Sequence, residues 1–192
     1  MRELVVLVGP PASGKTAVQR SHPEWVVVSK NEFRACMFRA LYETADEETV
    51  DRVFSAALVE AISSDADVVC VDDLNLSSAT RGSLIEMARL SGRRPIAHVM
   101  PPMSINEIEA GIRENVHRLR RELPHMKIAG PSIQALELML ANYTHVAVTE
   151  GFFDIVLHES ADPAALVLGE GDSARPKPRQ RRERREPLPL FV

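Results

Sequence analysis

Apolar runs and apolar stripes alternate along roughly the first 160 residues. Leu4-Val5-Val6-Leu7-Val8 is an unbroken apolar run of strand length, the pattern of a parallel strand covered on both faces. Four more segments, 25–29, 67–72, 95–100 and 153–158, read as strands. Between them the spacing turns helical. Val50, Val53, Phe54, Ala57, Leu58, Ala61 and Ile62 recur at i, i+3, i+4, i+7, i+8, i+11 and i+12, which predicts a helix over 46–63. Asp46, Glu47 and Glu48 stand at its start, where the helix dipole favours negative charge. Further helices are predicted over 14–20, 31–43, 77–91 (with Gly92 as its C-cap), 104–122 and 131–143. In the 104–122 segment Ile105, Ile108, Ile112, Val116 and Leu119 share a face. Strands alternating with helices predict an α/β fold with a mostly parallel sheet. Beyond about residue 161 the pattern fades into proline, glycine and charge. The sequence divides into a folded domain over 1–160 and a disordered basic tail over 161–192, with a linker over 170–187.

With 192 residues, 45% of them hydrophobic, the chain suits one or at most two domains. No apolar run approaches the roughly 20 residues that span a bilayer, so no membrane association is expected. The chain enters a strand-like segment at once, which predicts no signal peptide. Two cysteines, Cys36 and Cys70, make no disulfide framework and suit a reducing, cytoplasmic setting. The six histidines are scattered, with no metal-ligand spacing.

The net charge of −4 conceals an asymmetry. Residues 175–186 hold seven Arg or Lys and two Glu, leaving the rest of the chain at −9. A basic tail on an acidic body can contact phosphates that the body repels.

Gly9-Pro10-Pro11-Ala12-Ser13-Gly14-Lys15-Thr16 matches G-x-x-x-x-G-K-S/T in full. It also lies in the required context, after an apolar strand and before a helix. Glycines let the backbone curl so that its N–H groups surround a phosphate, and the helix N-terminus adds positive charge. Lys15 can reach the β- and γ-phosphates, and the Thr16 hydroxyl can ligate Mg²⁺. The run Val68–Val71 leads into Asp72-Asp73. At the C-terminal edge of a parallel sheet these carboxylates fall near the phosphate loop. Neighbouring strand residues face opposite ways, so one is expected to serve the metal and the other the acceptor.

On these residues the chain resembles the branch of P-loop kinases that contains phage polynucleotide kinase. The resemblance spans about 3–158. It rests on 9–16, on Ser29-Lys30-Asn31-Glu32-Phe33-Arg34, on Asp72-Asp73-Leu74-Asn75-Leu76 followed by Arg81, on an arginine-rich lid-like helix and on Glu150-Gly151-Phe152. It implies a five-stranded parallel sheet with helices on both faces, and ATP and Mg²⁺ as nucleotide and metal. It also implies that Arg34 and the lid arginines, Arg113 and Arg120 among Arg113, Arg118, Arg120 and Arg121, neutralise the transferring phosphoryl group.

One position departs from the pattern. Where the family places an Asp that deprotonates the acceptor hydroxyl, this chain has Asn31. An amide cannot act as a general base. Asp73, with Glu32 second, is the substitute, while Thr16 and Asp72 are expected to hold the metal.

The expected activity is transfer of the γ-phosphoryl group of ATP to a hydroxyl on DNA. The favoured acceptor is the hydroxymethyl group of 5-hydroxymethyluracil in phage DNA, as in the related phage kinases of thymidine hypermodification. A 5′-hydroxyl end is the alternative, and a nucleoside or sugar hydroxyl the next. The basic tail suits nucleic-acid contact. The last residues, Pro187-Leu188-Pro189-Leu190-Phe191-Val192, resemble the short peptide with which bacterial replication proteins dock on the sliding clamp, with Leu188, Leu190 and Phe191 matching.

Overall fold

A computed structural model describes residues 1–159 apart from Glu43 and Ala45. The basic segment 175–186 and the peptide with Leu188, Leu190 and Phe191 lie outside the described residues.

The elements follow the alternation in the sequence. They are β1 (Glu3–Val8), α1 (Lys15–Arg20), β2 (Val26–Ser29), α2 (Lys30–Phe38), β3 (Ala40–Leu41), α3 (Glu47–Ser63) and β4 (Val68–Asp72). Then come α4 (Ser78–Leu90), β5 (Arg94–Val99), α5 (Ile105–Glu122), β6 (Lys127–Ile128), α6 (Ile133–Ala141), a single 3₁₀ turn (Val148–Glu150) and β7 (Asp154–Leu157). Five strands form one sheet in the order β2-β4-β1-β5-β7, parallel throughout. The sheet is therefore wholly parallel, in keeping with the expected α/β class.

β1 lies in the centre, and the apolar run from Leu4 to Val8 is buried on both faces. Leu4, Val6 and Val8 pack with Phe54, Leu58 and Ile62 of α3 and Leu84, Ile85 and Ala88 of α4. Val5 and Leu7 face the other way, onto Cys70, Val18 and Trp25. The stripe on α3 is the one its sequence spacing marks, and Asp46 caps it by accepting from the Thr49 N–H at 3.1 Å. A third apolar cluster joins α5 to α6 through Ile108, Ile112 and Leu136 and includes Ala12 of the glycine-rich loop.

The helix expected over 31–43 ends at Phe38, because Arg39 turns left-handed at φ 51°. The chain then forms β3, which pairs in parallel with β6. This second, two-stranded sheet has no counterpart in the sequence reading. Among the described residues no helix is long and apolar enough to cross a membrane.

Candidate active site

The loop 9–16 runs from the end of β1 to the start of α1. Gly14 sits at φ 98°, a conformation that other residues reach only with strain. Ala12 is left-handed as well, at φ 61°. The Lys15 side chain is buried, and its Nζ donates to the carbonyls of Gly9 at 2.8 Å and Pro10 at 2.7 Å. Burial pulls its pKa down to about 8, against the raising effect of Asp72 and Asp73. The Ser13 hydroxyl is buried with no partner, and the Thr16 side chain is exposed at the first turn of α1.

β4 delivers the two carboxylates. Asp72 Oδ2 accepts from Ser29 Oγ at 2.9 Å. Burial pushes its carboxyl above the usual range, with Lys15 and the Ser29 hydroxyl opposing. Asp73 faces elsewhere, with Oδ2 3.0 Å from Lys30 Nζ. Lys30 Nζ also meets Asp51 Oδ1 at 2.8 Å and lies 5.4 Å from the centre of the Phe54 ring. Burial works against this charge, but the carboxylates of Asp73 and Asp51 outweigh it and raise the Lys30 pKa. Asp73 thus stands in an ion-paired triad joining β4, α2 and α3. Beyond it, Asn75 adopts φ 49° and donates from Nδ2 to the Leu7 carbonyl at 2.8 Å, while the Gly9 N–H donates to Leu74 O at 3.1 Å. These two bonds fix the carboxylate loop to the phosphate loop.

The first turns of α2 hold the other expected residues. Arg34 grips Glu47 through Nε, at 2.9 and 3.2 Å, and through Nη2, at 2.7 Å. Its Nη1 donates to Asn31 Oδ1 at 3.0 Å. Glu47 also accepts from the Thr44 N–H at 2.7 Å, and its carboxyl is held below the usual range by the Arg34 hydrogen bonds. This clamp has no counterpart in the sequence reading, where Glu47 stands only as a helix-start residue. Glu32 accepts from Gln19 Nε2 at 3.3 Å on the exposed side of α2.

Helix α5, expected from the sequence to act as a lid, is held at two places. A side chain at Gly111 would place its Cβ 2.8 Å from the Ala12 Cβ, so this glycine is what lets α5 lie against the phosphate loop. At the far end Arg120 donates from Nε and Nη2 to the Ile128 carbonyl, at 3.1 and 2.8 Å, which supports β6. Arg113 is exposed and pairs with Glu109 at 2.7 Å. Arg113, His117 and Arg120 line a groove of about 350 Å³ beside Gly130 and Pro131. Arg120 is therefore engaged in holding the β6 backbone, and Arg113 is the freer cation of the pair.

These residues fit a magnesium nucleotide. A buried hydroxyl without a partner stands in the loop at Ser13. A cationic amine is held on loop carbonyls, and Thr16 and Asp72 are hard oxygen donors of the kind Mg²⁺ takes. Among the described residues no cluster of three His, Cys, Asp or Glu forms a metal cage. Mg²⁺ at a phosphate site needs none, because phosphates and water supply most of its ligands.

A family model described as an AAA domain matches residues 4–127. The chain belongs to this family. Its fold is shared with Kti12 of Chaetomium thermophilum in complex with ADP-AlF3, at 17% identity and a TM-score of 0.57, covering 84% of this chain and 92% of that one. It is also similar to a chain of the Pnkp1/Rnl/Hen1 RNA repair complex, at 17% identity and a TM-score of 0.56, covering 73% of this chain but 43% of that one. A third neighbour is the PezAT toxin–antitoxin system of Streptococcus pneumoniae, at 12% identity and a TM-score of 0.58, covering 84% and 70%. No curated protein matches the sequence. The P-loop kinase-like α/β fold expected from the sequence is the fold observed.

Proposed function

We propose that this AAA-domain protein is an ATP- and Mg²⁺-dependent kinase whose acceptor is a hydroxyl on DNA, most favourably the hydroxymethyl group of 5-hydroxymethyluracil. Gly9 to Thr16 would cradle the phosphates, with Lys15 leaving its loop carbonyls for the β- and γ-oxygens. Thr16 and Asp72 would hold Mg²⁺, which would supply positive charge against the transferring phosphoryl group. Arg113 is the lid cation for the same task.

The observation that carries the choice of acceptor is the engagement of Arg34. Its Nε, Nη1 and Nη2 are all occupied by Glu47 or Asn31. Close by stand Lys30 and the acids Asp51, Asp72, Asp73 and Glu32. An acceptor carrying its own phosphate beside the hydroxyl would have to displace Glu47 from Arg34. A neutral group on a base would not. Phosphoryl transfer has a loose transition state in most analyses and depends chiefly on positioning, so a carboxylate base at position 31 is not required. Asp73, ion-paired to Lys30, orients the acceptor and receives its proton. The basic segment 175–186 supports a polyanionic substrate, since each phosphate it neutralises releases counterions. A base within duplex DNA would have to be turned out of the stack to reach the site. The terminal Leu188, Leu190 and Phe191 would add a tether to the sliding clamp.

The test is transfer of γ-labelled phosphate from ATP to two duplexes, followed by digestion to nucleosides. One duplex carries 5-hydroxymethyluracil with blocked 5′-ends, the other is unmodified with free 5′-hydroxyls. Internal label in the first supports the reading, and the variant Lys15→Ala should give none. Label confined to 5′-ends makes this a polynucleotide kinase. Label in neither duplex overturns a DNA acceptor and moves the search to small molecules.

A further inference from the structure

Arginine fixes the direction in which Asn31 points. A guanidinium has five N–H donors and no acceptor. The amide atom that meets Arg34 Nη1 at 3.0 Å must therefore be the oxygen. The amide nitrogen then faces away from Arg34, and among the described residues it has no partner. Arg34 cannot swing to release the oxygen, because Glu47 holds it at Nε and Nη2. Thr44 in turn holds Glu47 through its N–H. Asn31 is exposed and lies two residues beyond Ser29, which pairs with Asp72 and donates to it, so it stands at the sheet edge that carries the two carboxylates.

We infer that Asn31 is a specificity residue that donates a hydrogen bond to the acceptor, and that the acceptor therefore carries a lone-pair oxygen next to the hydroxyl that is phosphorylated. This rests on the DNA-kinase reading and narrows it. In 5-hydroxymethyluracil the C4 carbonyl neighbours the hydroxymethyl group and offers such an oxygen. In 5-hydroxymethylcytosine an amino group replaces that carbonyl, so two donors would face each other. Replacing Asn31 by Asp changes the protein side from donor to acceptor. Arg34 would keep one carboxylate oxygen, and the other would turn toward the substrate. Selectivity between the two bases should then reverse, because discrimination at a polar contact comes from mismatched as much as from matched groups.

The experiment measures kcat and KM of the full-length protein on two duplexes with blocked 5′-ends, one with 5-hydroxymethyluracil and one with 5-hydroxymethylcytosine. Wild type should prefer the uracil duplex. Asn31→Ala should raise KM for that duplex roughly tenfold, with kcat and the KM for ATP changed less than twofold, as expected for loss of one hydrogen bond. Asn31→Asp should favour the cytosine duplex. A variant that only disturbed packing would weaken both duplexes alike. Equal losses on both duplexes, or an unchanged KM in Asn31→Ala, would overturn the inference while leaving the kinase reading in place. Phosphate on neither modified duplex with wild type would overturn the DNA-base reading, and this inference with it.

Discussion

Arg81 and Glu150 lock together side by side, with Nε and Nη2 of the arginine each 2.7 Å from a carboxylate oxygen. Arg81 is fully buried, and it spends its other N–H groups on the carbonyls of Asn75 at 3.1 Å, Leu76 at 2.7 Å and Thr144 at 3.0 Å. One side chain thus joins α4, the loop after Asp72-Asp73 and the connection from α6 to β7. Removing either partner leaves a buried charge or several carbonyls without a donor.

Arg81→Met should therefore cost about 3–5 kcal/mol of stability, read as a lowered denaturant midpoint. Glu150→Gln keeps the shape and should cost less. The Arg81 hydrogen bonds hold the Glu150 carboxyl below the usual range. Its contribution is complete above the pH where a free glutamate titrates and disappears as pH falls through the depressed folded value. Wild type should lose stability faster than Glu150→Gln on acidification. Parallel acid-unfolding curves for the two proteins would contradict this.

Lys15 predicts a second rise of stability with pH, at the alkaline end. Its folded pKa is about 8, below the usual 10.5. Between those values the unfolded chain binds more protons than the folded one, so the nucleotide-free protein should gain stability as pH rises from 8 toward 10. Nucleotide affinity should fall over the same interval, because the protonated amine is the form that meets phosphate. Calorimetric titration with ADP at pH 7 and pH 9.5 tests the second point, and Lys15→Met should abolish both trends.

Asp72 sets stability against activity. Burial raises its carboxyl pKa in the fold, so its charged form costs stability near neutral pH. Asp72→Asn can still accept from Ser29 Oγ. It should melt at a higher temperature than wild type while losing at least a hundredfold, roughly, in Mg²⁺-dependent turnover. A lower melting temperature would show that the attraction of Lys15 for the Asp72 carboxylate outweighs burial.

Glu47 governs what Arg34 can bind. Glu47→Gln should loosen the clamp and free the guanidinium for phosphate. The variant should gain relative activity on acceptors with a phosphate next to the hydroxyl, such as a nucleoside 3′-phosphate, compared with the free nucleoside. An unchanged ratio would mean that Arg34 does not face the acceptor.

Much of this frame is legible in the sequence because its signals are long or chemically specific. The five apolar residues of β1, the stripe from Val50 to Ile62 and the loop from Gly9 to Thr16 each meet that condition. What was not legible depends on partners far apart in the chain or on elements too short to carry a period. A two-residue strand such as Ala40–Leu41 has no alternation to detect. Arg39 gives no sign that it will turn left-handed and end α2, since that role usually falls to glycine. The roles of Arg34 and Asp73 were read by position, but their engagement by Glu47 and Lys30 is tertiary. It changes a free phosphate-binding arginine into an oriented one.

The pairing of β3 with β6 has a kinetic consequence. α5 touches the phosphate loop where Gly111 meets Ala12. It is fastened to the end of α2 through β6, where the Lys127 N–H donates to Arg39 O at 2.7 Å and Ala40 stands opposite Lys127. The helix therefore links the phosphate loop to the end of α2, and in the proposed reaction it would act as a lever between nucleotide and acceptor. Filling the phosphate loop first would seat the lever and set the acceptor side behind it. If the proposed transfer holds, ATP is expected to add before the acceptor, and product-inhibition patterns should then show ADP competing with ATP alone.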